Sequence, residues 1–291
     1  MLIVASGCSV KKFAINKLGD SLANSGTTYT ADDDPELVGQ ALPFSLKLVE
    51  GLLAESPRHR GLLLAAASGF TEYAYAYVQQ DADVLEPEDY AKATLLRARA
   101  RRLYSRARDY GIRGLEARHQ GFADAIRRDP HAAVTSAAIS DVPLLYWTAA
   151  AWVSAISLSR ESPDVLADQP IAEALIDRAL ALDPDFDAGA IHGFLIAYEP
   201  ARQGVAGDAL ARSRSHFDRQ VALTHGQLAS PFLALAETVS VQTQNRAEFE
   251  ALIKRALDVD PDARTEWRLQ NLIAQRRAKW LLTRADDLFA K

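Results

Sequence analysis

Residues 171–199, IAEALIDRALALDPDFDAGAIHGFLIAYE, predict a complete helical hairpin. Apolar side chains recur at four- and three-residue steps through Ile171, Leu175, Ala179 and Leu182, which is the spacing of one helix face. Asp183-Pro184 ends that helix because proline has no amide hydrogen to continue it. Asp185 is suited to cap the next helix. The hairpin therefore predicts an α-helical fold.

The second arm of this hairpin carries the best candidate for a functional face. His192, Ile196 and Glu199 follow one another at steps of four and three, so an imidazole and a carboxylate flank an apolar side chain on one surface. The alternative is that His192 is a packed, hydrogen-bonded histidine and Glu199 is simply solvated. The sequence leaves both interpretations open.

Composition limits the classes of function. The chain has 291 residues, of which 48% are hydrophobic and 24% charged, and 33 Lys plus Arg against 38 Asp plus Glu give a formal charge of −5. This mildly acidic balance argues against general nucleic-acid binding. The single cysteine excludes an internal disulfide and a site built from several thiolates. No low-complexity linker divides the chain, so we predict one domain over residues 35–291.

Helical patterns extend along the whole chain, and no stretch alternates convincingly as a strand would. Tyr73 and Tyr77 lie one helical turn apart after Phe70, which indicates core packing or the wall of a ligand groove. Trp147 lies in an Ala-rich helix that begins near Val142. An arginine-dense helix over residues 88–110 indicates a solvated face, with an anion-binding surface as the alternative.

The N-terminus carries a possible targeting signal. The opening MLIVASGC, residues 1–8, places the sole cysteine after a short apolar run, as in a bacterial lipobox, and predicts lipid attachment at Cys8. Ala5 stands where leucine is usual and no basic residue precedes it, so we expect a truncated signal whose natural start lies upstream. Residues 9–34 form the predicted tether. The alternative is an apolar terminus with an incidental thiol.

Membrane attachment is therefore expected through lipid alone. No other stretch approaches the roughly 20 apolar residues that a spanning helix needs.

A helix-ending phrase recurs along the chain and indicates repeats. It occurs as AESP, RRDP, ALDP and DVDP at residues 54–57, 127–130, 181–184 and 258–261. The intervals between successive phrases are uneven and exceed the roughly 34 residues of a single tetratricopeptide repeat. Each interval approaches the length of two helical hairpins. We predict an all-α superhelix of helical hairpins with degenerate tetratricopeptide-like repeats.

Several separated phrases resemble one family. They are GFTEYAYAYVQ (69–79), LLYWTAAAWVSAI (144–156), ALIDRALALDPDFDAGAIH (174–192), SPFLALAETVSVQTQNRAEFEALIKRALDVDPDAR (230–264) and RLQNLIAQRRAKWLL (268–282). In this order they resemble the T-component (TatT) of tripartite ATP-independent periplasmic (TRAP) transporters. The resemblance covers most of the chain from about Pro35 onward.

The resemblance implies a periplasmic, lipid-anchored accessory protein that associates with the substrate-binding P-component. It also implies homo-oligomers, including trimers, whose cavities could pass a hydrophobic ligand to that partner. No cofactor or metal is implied. We expect ligand-facing or partner-facing roles for Tyr73, Tyr77, Trp147, His192 and Glu199, on an inner surface or tunnel.

Two other classes of function compete with this prediction. An enzyme is disfavoured because the six histidines are scattered and no catalytic or nucleotide-binding motif is present. A cytosolic repeat scaffold that binds peptides in its groove is the alternative, and it predicts no acylation.

Overall fold

The computed structural model describes residue 17 and residues 26–159, 161–202 and 204–290. Over these residues every regular element is a helix, which confirms the predicted all-α class. Cys8 and the whole predicted signal lie outside the described residues, so lipid attachment stays a prediction. Of the predicted tether over residues 9–34, residue 17 and residues 26–34 are described.

The described contacts fall into two compact units. Unit 1 contains residues 36–182, and unit 2 contains residues 27–35 with residues 183–290. The single domain predicted over residues 35–291 is left open by this division, and each unit is described by itself.

Unit 1 is a succession of packed helices. Its α-helices are α2 (Pro35–Glu55), α3 (Arg60–Ala74), α4 (Gln80–Leu85), α5 (Tyr90–Glu116), α6 (Phe122–Arg128), α7 (Pro130–Val134), α8 (Val142–Ser157), α9 (Pro163–Leu166) and α10 (Gln169–Leu182). A short helix α1 (Gly26–Thr30) precedes them in the chain and falls almost entirely in unit 2. Helix α5 packs against α3 and α8, and α8 packs against α10. A core of Leu46, Leu62, Phe70 and Tyr104 fills the space between α2, α3 and α5.

Unit 2 is likewise a succession of packed helices. Its α-helices are α11 (Phe186–Tyr198), α12 (Ala209–Thr224), α13 (Ser230–Leu235), α14 (Arg246–Leu257), α15 (Arg268–Thr283) and α16 (Ala285–Leu288). Helix α11 pairs with α12, and α14 packs against both α13 and α15. Phe232, Phe249 and Leu281 lie in its apolar core.

The recurring proline phrases mark helix ends, as predicted. Helices α2, α6, α10 and α14 end at Glu55, Arg128, Leu182 and Leu257 respectively. At Asp129 the same phrase also begins the next helix, because the carboxylate accepts a hydrogen bond from the Ala132 amide at 3.0 Å.

Two helices contain a π-helical turn that the periodicity did not predict. Residues Tyr75–Gln79 join α3 to α4, and residues Ala236–Ser240 follow α13. A π turn holds one residue more than an α turn, so the side chains after it are displaced around the helix.

The expectation that no other stretch is apolar enough to span a bilayer is wrong on length and composition. Two described helical stretches pass that test, Pro35–Glu55 and Ile139–Ser157. Core helices of soluble proteins pass the same test, and both stretches contribute buried residues to unit 1, among them Leu46 and Trp152.

Candidate functional site

The turn into α11 differs from the simple capped start predicted for it. Asp185 occupies the N-cap position, but its side chain accepts no capping hydrogen bond. Its carboxylate instead accepts two hydrogen bonds from Arg219 of α12, at 2.6 and 2.8 Å. Asp187, Ala188 and Gly189 then adopt left-handed backbone angles, with φ of 46°, 52° and 84°. The prediction of an Asp185 cap is therefore wrong, because the ion pair engages this carboxylate.

Helices α11 and α12 approach closely beyond this turn. A methyl group added at Gly193 would lie 2.7 Å from the side-chain amide of Gln220, so the absence of a side chain permits the contact. This proximity brings side chains of α12 against His192 of α11 and against Glu199, which begins the 3-10 turn Glu199–Ala201 directly after α11.

His192 faces a second histidine. Its Nδ1 atom lies 2.8 Å from Nδ1 of His216 on α12, and the two ring centroids are 5.0 Å apart. The Nε2 atom of His192 is buried and has no hydrogen-bond partner among the described residues. Burial lowers the pKa of His192, and the positive charge of Arg219 lowers it further. Burial also lowers the pKa of His216.

Glu199 is buried rather than solvated, with 2% of its surface exposed. Its carboxylate accepts hydrogen bonds from Nε of Arg212 at 2.5 Å and from Nη1 of Arg202 at 3.3 Å. Nε2 of His216 lies 4.0 Å from the same carboxylate. Two arginines therefore compensate the charge of this buried carboxylate.

This cluster lacks the organisation of a catalytic centre. His216 and Glu199 are farther apart than a hydrogen bond, and the partner of His192 is another imidazole rather than a nucleophile. Over the residues that the structure describes, no three His, Cys, Asp or Glu side chains are placed to hold a metal ion. Within unit 2 the arrangement holds the Glu199 carboxylate in place between Arg202 and Arg212.

The aromatic candidates lie in unit 1. Tyr73 and Tyr77 stack with ring centroids 5.8 Å apart, and Tyr73 Oη accepts a hydrogen bond from Arg99 at 3.1 Å. Tyr77 packs against Gly39 of α2, where an added methyl group would approach its ring to 2.6 Å. Trp147 is half-buried and makes an edge contact with Tyr146 at 4.9 Å between centroids.

The structure thus brings the candidates together in two groups. His192 and Glu199 share the α11–α12 cluster, and Tyr73 at the end of α3 stacks on Tyr77 of the following π turn. Trp147 lies in α8 beside Tyr146 and belongs to neither group. Whether either group faces a ligand stays a prediction.

Sequence reasoning missed a cavity of about 590 Å³ in unit 1. Five arginines of α5 line it, and we call it the basic cavity; they are Arg101, Arg102, Arg106, Arg108 and Arg113. None of the five predicted site residues is among its lining residues. The available signal was the arginine density of residues 88–110, for which anion binding was the second interpretation.

Comparison with known proteins identifies the family. The family model described as TRAP transporter T-component matches residues 31–289, which is most of the chain. The chain belongs to the TRAP transporter T-component family. The resemblance predicted from the separated phrases is therefore confirmed, and as a T-component the chain is an accessory of TRAP transport.

This T-component is also similar to a protein of Treponema pallidum (strain Nichols). The two chains are 27% identical over 305 residues, which cover 99% of this chain and 94% of the relative. The relative is described as an uncharacterized protein, so it adds no activity or ligand.

Proposed function

We propose that this T-component is a periplasmic, lipid-anchored protein that catalyses no reaction, binds the P-component of a TRAP system and holds a hydrophobic ligand for it. The observation that carries the proposal is the family match over residues 31–289. The lack of a convergent acid, base and nucleophile in the α11–α12 cluster is consistent with a binding role.

An exposed apolar face on α2 supports association with another protein. Leu37, Phe44 and Leu48 are 56%, 74% and 40% exposed, and their spacing of seven and four residues places them on one side of the helix. Exposed apolar side chains grouped in this way are typical of interaction surfaces. We propose this face for the P-component.

The five residues singled out in the sequence remain the proposed ligand-facing or partner-facing set. Tyr77 and Trp147 are partly exposed and offer aromatic surface, while Tyr73, His192 and Glu199 are buried and would act by positioning their neighbours. Alanine variants of Tyr73, Tyr77, Trp147 and His192 are expected to weaken ligand or partner binding more than they lower thermal stability, whereas loss of the buried, ion-paired Glu199 carboxylate is expected to lower both. Variants that lose thermal stability while binding stays intact would assign these side chains to the core.

Capture of the P-component tests the partner. The P-component of the same host is produced with the tagged T-component, and complex formation is measured by affinity purification and light scattering. Phe44→Asp is expected to abolish capture, whereas Leu282→Asp, at a 42% exposed position of α15, retains it. Absence of capture by the parent chain at high concentration would contradict the proposed partner.

Homo-oligomers are part of the proposal and need their own measurement. Light scattering of the T-component alone is expected to give a mass above that of one chain. A monomer at high concentration would contradict this part.

Acylation tests the anchor and the location. Cells that express the native gene are labelled with a palmitate analogue and fractionated, and Cys8→Ser serves as the control. Label and membrane association are expected for the parent and lost in the variant. A soluble, unlabelled parent would favour the cytosolic peptide-binding scaffold instead.

A further inference from the structure

The basic cavity lies on one side of α5, where that helix meets α8 and the segment around α9. Its volume of about 590 Å³ falls within the range of small-molecule sites, roughly 300–1,000 Å³. The cavity is contained within unit 1. It is therefore a recess that a ligand could enter without a second chain.

Positive charge dominates the wall of the basic cavity. Five arginines line it against three aspartates, Asp109, Asp164 and Asp168, although the whole chain carries a formal charge of −5. Two of these aspartates are already engaged. Asp109 accepts a hydrogen bond from Nε of Arg108 at 2.9 Å, and Asp168 accepts one from the indole of Trp152 at 3.2 Å. The local charge is thus opposite in sign to that of the chain.

Several guanidinium groups in the cavity retain unused donors. Arg101 and Arg102 are exposed and form no ion pair or hydrogen bond with another residue in the described part of the chain. Arg113 donates to the carbonyl of Pro57 at 3.2 Å, which leaves its charge without a carboxylate. A guanidinium presents five N–H donors in a planar fork that matches a carboxylate or a phosphate. These three arginines are free to bind oxyanions.

Apolar side chains also line the basic cavity. Trp152, Ala155 and Val165 line it, and the Arg108 guanidinium lies 5.1 Å from the Trp152 ring. The ring and the Asp109 carboxylate together hold this guanidinium in position, so Arg108 shapes the wall rather than supplying a free charge. The wall therefore combines oxyanion donors with a surface for an apolar body.

From this combination we propose that the basic cavity binds a small soluble organic anion, whose carboxylate or phosphate group pairs with Arg101, Arg102 and Arg113. Its apolar part lies toward Trp152. This inference rests on the proposed ligand-holding function and adds the charge of the ligand to it. A purely hydrophobic ligand would leave these guanidinium groups unused.

Calorimetric titration of the whole chain tests the charge of the ligand. Benzoate and phenyl phosphate serve as anionic probes, and benzamide serves as the neutral counterpart of benzoate. We expect binding of at least one anion, weakening as salt is raised, and no detectable binding of benzamide. Equal binding of benzamide, or no binding of either anion, would overturn the proposal. Binding only of an acidic peptide or of anionic lipid vesicles would also overturn it.

Paired variants locate the site. Arg101→Gln/Arg102→Gln is expected to weaken binding of the anionic probe about tenfold or more, because charge-assisted hydrogen bonds are lost. Arg127→Gln/Arg128→Gln removes the same charge from exposed positions of α6 that do not line the cavity, and it should leave the affinity unchanged. Equal weakening by both pairs would show a nonspecific charge effect and overturn the assignment.

Capture of the P-component by the same variants separates the two proposals. Loss of anion binding with capture retained in Arg101→Gln/Arg102→Gln supports the cavity assignment independently of the partner. If the parent chain captures the P-component yet binds neither anion, the inference fails while the proposed partner stands. Unchanged thermal melting of the variant confirms that its fold is intact.

Discussion

His192 and His216 face each other through their Nδ1 atoms at a distance of 2.8 Å. One ring must donate and the other accept in this contact, because two acceptors or two donors would repel each other. A doubly protonated pair has two Nδ1–H donors and cannot keep the contact. Together with burial, this geometry favours neutral imidazole in the folded chain.

The stability of the chain should therefore fall in mild acid. Burial lowers the native pKa of both histidines below the ordinary value of 6.5, so the unfolded chain binds more protons than the native chain once the pH drops below about 6.5. Stability is full above this pH and decreases toward the native pKa values. Urea denaturation at a series of pH values measures this slope. If His192→Leu kept the full decrease of the unfolding free energy in mild acid, the assignment of that decrease to the histidine pair would be contradicted.

Loss of the Glu199 carboxylate should destabilise unit 2. Glu199→Ala leaves Arg202 and Arg212 without the buried partner that compensates them, at an expected cost of about 3 kcal/mol in the free energy of unfolding. Urea denaturation measures the change. Glu250→Ala removes the partner of Arg246 in an exposed pair and should leave the midpoint unchanged. Similar midpoints for the two variants would contradict this role for Glu199.

Glycine substitutions should have opposite signs at two helix positions. At Gly111 of α5 an added methyl group would lie 2.0 Å from Oγ1 of Thr148 on α8, so Gly111→Ala should destabilise by about 1–3 kcal/mol through overpacking. At Gly51 of α2 nothing lies within 4 Å of the added group, and Gly51→Ala should stabilise by roughly 0.5–1 kcal/mol. Thermal melting distinguishes the two. If Gly111→Ala also stabilised the chain, α5 and α8 could move apart to admit the methyl group and the prediction of overpacking would be contradicted.

Loss of the Asp141 charge should destabilise unit 1. Asp141 is fully buried. Its Oδ1 atom accepts a hydrogen bond from Arg60 Nη2 at 2.6 Å, and its Oδ2 atom accepts one from the Ala138 amide at 2.9 Å and lies 2.9 Å from His119 Nε2. Asp141→Asn should cost about 2 kcal/mol, since hydrogen bonds to a charged acceptor are lost.

The acid dependence of Asp141 supplies a second measurement. Burial raises the pKa of Asp141, but the Ala138 amide, His119 and Arg60 together lower it below the ordinary value of 3.8. Its contribution is therefore full above that value and is lost as the pH falls through the native pKa. The Asp141→Asn variant should lack this part of the acid dependence, and an unchanged dependence would contradict it.

Helix ends were predictable from the sequence because their cause is local. A proline removes an amide donor and restricts the residue before it, so each proline phrase ends a helix wherever the helix packs. The interior of α5 was less predictable. The arginine density of residues 88–110 predicts a solvated face, but Ala100, Tyr104 and Ala107 of the same helix are fully buried. Packing of α5 against both α3 and α8 covers a wider face than one stripe indicates.

The candidate site was predictable only in part for a related reason. Helical spacing placed His192 and Glu199 on one face, and both are buried against α12. Their partners His216 and Arg212 come from another helix, so no spacing within α11 could name them. The basic cavity likewise depends on where α8 and α9 lie beside α5, which residues 88–110 alone do not encode.

The two π turns also change the residue intervals by which helix positions are matched between sequences. Each adds a residue to its helix, so side chains on either side of residues 75–79 or 236–240 fall out of phase by about 100° when counted at 3.6 residues per turn. Alignments that keep strict intervals across these turns will mismatch equivalent positions by one residue. The four proline phrases lie outside both turns and mark helix ends, but the intervals 57–130 and 184–261 each cross one turn and so include its extra residue.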